Sequence, residues 1–270
     1  MYSGVPKRGK QGRKNKFLHF LFWVLLLVFA GVSAYLFLFS SFMEVETISV
    51  SGNKDISSEE IESRVREAIS GKYYGYFSRN NFFLVNRKAI DAVLKNNFSR
   101  LEVASIEKKF PKAILIEVKE RQPELVWCSG GVCYLIDGDG LAYSGASGTD
   151  EELRNQSFLT VVDENARPVE IGKTNIGSEY VDFLKKINLL LRDNLHLETE
   201  GSYSTPALAS REVTVKIKEG WSLKLSESVS SEETEKIIQT VFEKELSQEK
   251  RQGLDYLDLR IKNKVYYKMR

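Results

Sequence analysis

The sequence predicts an α+β protein: a single transmembrane helix, then a β-α-α-β-β domain, then a β-rich mixed-sheet domain with two helices. Three observations predict it. Phe17 to Phe39 is a run of 23 residues without Asp, Glu, Lys or Arg, and a helix rising about 1.5 Å per residue crosses the roughly 30 Å core of a bilayer over that length. Between residues 44 and 120, two segments at helical spacing are framed by three that alternate with period two. From 121 to 270 alternation dominates, interrupted by two further helical stretches.

Residues 17–39 read as a retained anchor. A cleavable signal has an apolar core of only about 7–15 residues before a small-residue site, whereas apolar residues here continue on both sides of the one candidate site, Val32-Ser33-Ala34. Residues 1–16 form a basic tail with Lys7, Arg8, Lys10, Arg13, Lys14 and Lys16 and no acid, while Glu44 and Glu46 follow the run. The positive-inside bias then places the tail in the cytoplasm and everything beyond Phe39 outside. Setting those six cations aside leaves 33 of the 39 Lys and Arg against 37 Asp and Glu, so the exterior offers no electrostatic footprint for nucleic acid.

The elements of residues 44–120 follow in order. "VETISVSGN" alternates and ends in a turn, giving a strand. In "ISSEEIESRVREAISGK" Ser57 and Glu60 form a capping-box pattern, Ile61, Val65, Ala68 and Ile69 share a helical face, and Gly71 supplies a stop. "YYGYFSRNNFFLV" reads as an aromatic loop. "NRKAIDAVLKNNF" places Ala89, Ile90, Val93 and Leu94 on one face, a second helix. "VASIEKKFPKAILIEVKERQPELVW" alternates through Ala104, Ile106, Lys108 and Phe110, breaks at Pro111 and alternates again through Ile114, Ile116 and Val118. Pro111 and Pro123 donate no ladder bond and belong at strand ends or edges.

In residues 121–270, "SEYVDFLKKINLLLRDN" carries Val181, Leu184, Ile187 and Leu191 at helical spacing, and "SEETEKIIQTVFEKEL" carries Ile237, Ile238, Val241, Phe242 and Leu246. Between them "EVTVKIKEGWSLKLS" alternates on both sides of Glu219-Gly220, a hairpin. "LDYLDLRI" puts Leu257, Leu259 and Ile261 on one face, Lys262-Asn263-Lys264 turns, and "VYYKM" returns.

A β-α-α-β-β unit outside a single N-terminal span, opening with "ISVSGN" and closing with "KKFPKAILIEVKERQPELVW", resembles the POTRA domain of the bacterial FtsQ/DivIB division proteins. Many members have Trp-Pro where this chain has Phe110-Pro111. "CYLIDGDGLAY" is similar to the family's hairpin with Asp-x-x-Gly before an aromatic, and "LDYLDLRIKNKVYYK" to its Asp-Leu-Arg strand, short turn and final strand. The resemblance implies a POTRA-like domain over 44–120 and an FtsQ/DivIB-type β-rich domain over 121–270 whose strands continue the sheet of the first.

The two histidines are His19, in the apolar run, and His196, in a polar loop; the two cysteines are Cys128 and Cys133. Neither a Cys/His nucleophile nor a three- or four-ligand zinc site is supported. "WCSGGVCY" places the cysteines across a Gly-Gly turn. They are either a disulfide, contributing roughly 2 kcal/mol by the chain-entropy estimate, or two reduced cysteines packed in a sheet; the disulfide is expected, and the resemblance does not decide. "DGDG", residues 137–140, lacks the remaining ligands of a calcium loop and reads as a tight turn. Asp255 and Asp258 fall on opposite faces of one strand and are poor partners for sugar hydrolysis. Tyr73, Tyr74 and Tyr76 are a binding surface or a loop packed on its own domain.

The expectation is a non-enzymatic, membrane-anchored scaffold of the division septum with no cofactor, no metal, no nucleic acid and no small-molecule substrate. The rivals are an anchored envelope enzyme acting on peptidoglycan and a transport-type POTRA protein that guides unfolded clients to a barrel. The resemblance implies small single-span coiled-coil partners, FtsB and FtsL, bound by the β-rich domain. The expected site is the C-terminal hairpin: Arg260, Ile261, Val265, Tyr266, Tyr267 and Lys268, with the last strand an open edge. Proline at Val265 or Tyr266 is expected to remove an edge donor.

Overall fold

The computed structural model describes residues 11–146 and 158–270; Lys7, Arg8 and Lys10 of the basic tail lie outside them. Helix α1 runs Gln11–Phe39, starting ahead of the apolar run. Its apolar stretch, Lys16–Phe39, has a mean hydropathy of 2.4 and none of that window is buried. A helix apolar all round whose side chains the protein leaves unburied over that window suits a lipid surrounding.

Contacts divide the chain into two compact units, Met1–Leu94 with Val103–Lys119, and Lys95–Glu102 with Glu120–Arg270. In the first, β1 (Thr47–Ser51) leads to α2 (Ser58–Ala68), whose Ser57 cap accepts the Glu60 N–H at 3.1 Å. Ile61, Val65 and Ile69 are buried, as the spacing requires. The aromatic segment is more than a loop: β2 (Lys72–Tyr73) and β3 (Phe77–Ser78) pair as a small hairpin. Helix α3 (Arg87–Asn97) starts where the Asn86 carboxamide accepts the Lys88 N–H, and buries Ile90 and Leu94. Strands β4 (Leu101–Lys109) and β5 (Ala113–Glu120) meet at a cis Phe110-Pro111 bond. The sheet order is β1-β5-β4, with β1 parallel to β5 and Ile48 opposite Ile114.

The second unit holds one ten-stranded sheet: β6 (Leu125–Ser129), β7 (Val132–Ile136), β8 (Leu141–Gly145), β9 (Leu159–Asp163), β10 (Lys173–Thr174), β11 (Thr199–Thr205), β12 (Glu212–Ile217), β13 (Ser222–Ser226), β14 (Leu254–Asp258) and β15 (Tyr266–Met269). They lie in the order β10-β8-β7-β6-β9-β11-β12-β13-β14-β15. This corrects the expectation of one continuous sheet. After Arg121 the chain leaves β5, Pro123 interrupts it, and β6 pairs instead with β7 and β9.

Helix α4 (Ser178–Leu189) continues into a wider π-type turn at Leu190–Asn194, and α5 (Ser231–Lys244) is capped by Ser230 and followed by the one-turn α6 (Gln248–Arg251). Val181, Leu184, Ile187 and Leu191 of the α4 region share a buried cluster with Val213, Val215, Leu223, Leu225 and Trp221. Each such side chain contributes about 1.5–3 kcal/mol relative to exposure.

Tyr180 is fully buried in that cluster, donating its hydroxyl to the Glu212 carbonyl at 2.7 Å. Burial pushes its pKa up to about 12, against roughly 10 in an unfolded chain. The neutral phenol is favoured in the folded state, so its contribution is intact below pH ~10 and is lost as pH rises towards 12. Burial raises Tyr203 in the same sense. Urea unfolding followed by the Trp127 and Trp221 fluorescence should therefore show stability falling across that window. Tyr180→Phe should cost about 1 kcal/mol at neutral pH through the lost hydrogen bond and flatten the alkaline decline. A decline as steep in the variant as in the parent would mean that Tyr180 does not carry it.

Candidate functional site

Strand β15 pairs with β14 on one side and stands at the edge of the ten-stranded sheet. Tyr266, Tyr267, Lys268 and Met269 are all exposed. Which backbone groups face the open side follows from the ladder. The Leu259 N–H donates to the Lys224 carbonyl, towards β13, so alternation turns the N–H groups of Asp258 and Tyr256 towards β15. These residues pair with Tyr266 and Lys268, and the Arg270 N–H donates back to the Gly253 carbonyl. Even-numbered residues of β15 thus spend their donors inward. The N–H groups of Tyr267 and Met269 face the open side. Tyr266 is therefore not the edge donor expected from the sequence: its N–H belongs to the ladder with Asp258.

The rest of the expected site divides. Ile261 does not share the face of Leu257 and Leu259, which are buried; β14 ends at Asp258 and Ile261 is 53% exposed in the turn, where its carbonyl accepts the Lys264 N–H. Val265 precedes β15 and is partly exposed. Arg260 is engaged within the sheet: Nε donates to Asp258 at 2.9 Å, Nη2 to the same carboxylate at 2.6 Å, and Nη1 to Glu212 of β12 at 2.9 Å. The bond to Asp258, with Glu212 behind it, holds the guanidinium above its ordinary pKa. Burial opposes ionisation of Asp258, but the Arg260 side chain and N–H outweigh it and hold the carboxyl below its ordinary value. Arg260 fastens the exit of β14 to β12 and so sets where the returning strand starts.

Two residues absent from the expected set lie at the same edge. Met269 is 42% exposed on β15, and Asp255 binds Lys268 across the ladder at 2.9 Å. Period-two alternation through "VYYKM" was the signal for the first. This pair is solvent-exposed, so it holds the strand only weakly.

Cys128 and Cys133 lie opposite each other on β6 and β7, with their sulfur atoms joined and their Cα atoms 3.9 Å apart. Gly130 and Gly131, at φ +58° and +83°, form the two-residue turn between the strands, which needs positive φ at both positions. Six strand spacings of about 4.8 Å separate β6 from β15, so the disulfide belongs to the frame, roughly 30 Å from the open edge. Asp255 and Asp258 each bind a different cation, Lys268 and Arg260. In the 137–140 turn the Asp137 carboxylate faces Arg121 at 2.5 Å. No group of three or more His, Cys, Asp or Glu residues arranged for a metal occurs among the described residues.

Comparison with known proteins agrees with this architecture. A family model described as POTRA domain, FtsQ-type, matches residues 43–121. Cell division protein FtsQ of Streptomyces collinus is 23% identical over 145 residues, covering 54% of this chain and 52% of that protein. The FtsQ of Chloroflexus aurantiacus is 30% identical over 149 residues, 55% of this chain and 49% of its own length, and that of Chloroflexus aggregans 28% over 145, 54% and 48%. The chain spans about half the length of the curated relatives it matches. With an apolar helix able to anchor it in a membrane, a segment matching the FtsQ-type POTRA domain over residues 43–121 and a large mixed sheet that follows it in sequence, the chain is similar to the cell division proteins named FtsQ.

Proposed function

We propose that the protein is a non-enzymatic scaffold of the division septum whose β15 edge receives a strand from a small single-span partner resembling FtsB, with an FtsL-like protein in the same assembly. The observation that carries this reading is the open edge itself. Tyr267 and Met269 direct unused N–H groups outwards from a strand whose side chains are all exposed. An added strand would gain backbone hydrogen bonds there, and the exposed rings of Tyr266 and Tyr267 are large rigid surfaces of the kind that anchor interfaces. Orientation follows from the cations before the span and the acids after it, which favour a cytoplasmic tail and an exterior bulk. The joined cysteines suit an oxidising exterior.

The functional test is localisation in dividing cells. A fluorophore fused to the cytoplasmic tail should collect in a band at the constriction, and protease added to spheroplasts of the same cells should remove the exterior units while the fluorophore survives. Uniform envelope fluorescence in constricting cells would overturn the septal role, and protection of the exterior units would overturn the orientation.

A further inference from the structure

The first unit carries a set of exposed aromatic side chains that its own core does not use. Tyr74 is 92% exposed and Tyr76 74%, at the tip of the β2–β3 hairpin, and Phe42 and Phe83 are exposed as well. Exposure of this kind over a short segment marks a contact surface rather than packing.

What covers it is indicated by where the hairpin is fastened. Phe77 of β3 packs on Phe39, the last residue of α1, with ring centroids 5.0 Å apart, and Phe83 packs edge-on against Phe37 at 5.7 Å. Asn81, which is buried, donates its carboxamide N–H to the carbonyl of Phe37 at 2.8 Å and of Leu38 at 3.4 Å, while its Oδ1 accepts the Phe83 N–H. Those carbonyls are among the last four of a helix, which have no partner within it. The segment that carries the aromatics is thereby bonded to the terminal turn of the span.

Span length then gives the depth. The 23 residues Phe17 to Phe39, without Asp, Glu, Lys or Arg, extend about 34 Å as a helix, a little more than the ~30 Å hydrocarbon core. The terminal turn, and whatever is fastened to it, reaches the headgroup layer. Tyr and Trp rings are favoured at that depth, with an apolar body in the acyl boundary and a polar edge among the headgroups. Cations accompany the rings: Arg79 lies over Tyr73 at 5.4 Å and Lys112 over Phe42 at 5.1 Å.

We infer that the β2–β3 hairpin, with Phe42 and Phe83, is a lipid-docking surface that seats the first unit on the phospholipid headgroup layer of the membrane its own span crosses. The surface holds the first unit against the bilayer beyond what the single helix imposes. This rests on α1 crossing the membrane.

The test uses the full chain in phosphatidylcholine vesicles, with Trp23→Phe to silence the span and Tyr74→Trp or Tyr76→Trp as reporters; Trp127 and Trp221 are buried in the second unit and give a constant background. Each reporter should emit at shorter wavelength than in detergent-free urea, and lipids brominated near the headgroup should quench it about twofold more than lipids brominated at mid-chain, as interfacial depth requires. Water-like emission with free access to acrylamide in both variants overturns the proposal. So does a short-wavelength emission that brominated lipid fails to quench, because protein would then be the cover. Retention of the protein with vesicles through an alkaline wash reports the span separately, so loss of the anchor and loss of the docking surface give different results.

Discussion

Tyr267→Pro should abolish co-purification of the proposed single-span partner while leaving the second unit cooperatively folded. The Tyr267 N–H faces the open side of β15, so the substitution removes no ladder bond to β14, and proline is tolerated on an edge strand when its missing donor would have faced solvent. It removes one of the two outward donors and places a ring where an added strand would approach. With a net value of about 1 kcal/mol for the hydrogen bond and more for the clash, the loss should be tenfold or greater in affinity. Two controls separate the causes. Tyr267→Ala keeps the donor and removes the ring, so its loss measures the side chain alone. Tyr266→Pro breaks the ladder with Asp258 and should reduce binding together with the folded hairpin. Undiminished binding by Tyr267→Pro sinks the edge-strand site, as does a loss matched by early unfolding of the unit.

The contrast between Tyr266 and Tyr267 shows how far the sequence could be read. Side-chain periodicity located the helices and most strands because each buries a face: Ile61, Val65 and Ile69 on α2, and Val213, Val215, Leu223 and Leu225 across one hairpin are all buried. Capping chemistry was legible for the same local reason, in Ser57 and Ser230. The direction of a backbone N–H is different. It depends on which neighbour a strand pairs with and in which register, and the exposed side chains of β15 carry no mark of it. The β2–β3 hairpin was also hidden, since two-residue strands are too short to show alternation. The break between the two sheets rests on β6 pairing in parallel with β9, a non-local choice. At Arg260 the Asp258 partner lies two residues away, but Glu212 is 48 residues distant in sequence and only the fold brings it near. Ile261 was misplaced because alternation was extended past the point where Arg260 turns the chain out of the strand.

The second large effect should come from the turn that the acidic "DGDG" forms. Asp137 has two roles there. One carboxylate oxygen accepts the N–H groups of Asp139 and Leu141 at 3.0 and 2.9 Å, shaping the turn, and the other meets Arg121 at 2.5 Å. Gly140 closes the turn at φ +76°, where a Cβ would stand 1.8 Å from the Ile176 carbonyl oxygen, and its own carbonyl accepts the N–H groups of Asn175 and Ile176 just before α4. The turn thus links the β7–β8 connection to the start of the helix that fills the main core. Arg121 and Asp137 side chains are only 17% and 7% exposed. Removing one member of a buried pair leaves the other's charge without a partner, at about 3–5 kcal/mol. Arg121→Met should therefore lower the unfolding free energy of the second unit by that much, read as a fall in its urea midpoint. Asp139 lies 4.0 Å from the guanidinium but is mostly exposed, so it does not hold the charge in place of Asp137. Asp137→Asn keeps the turn-shaping oxygen and removes the charge. The double variant should recover most of the stability that Arg121→Met loses, because nothing charged then remains buried without a partner. If Arg121→Met costs less than about 1 kcal/mol, the pair behaves as a surface contact. If the double variant is no more stable than Arg121→Met, the loss came from the arginine's packing and not from the charge left behind on Asp137.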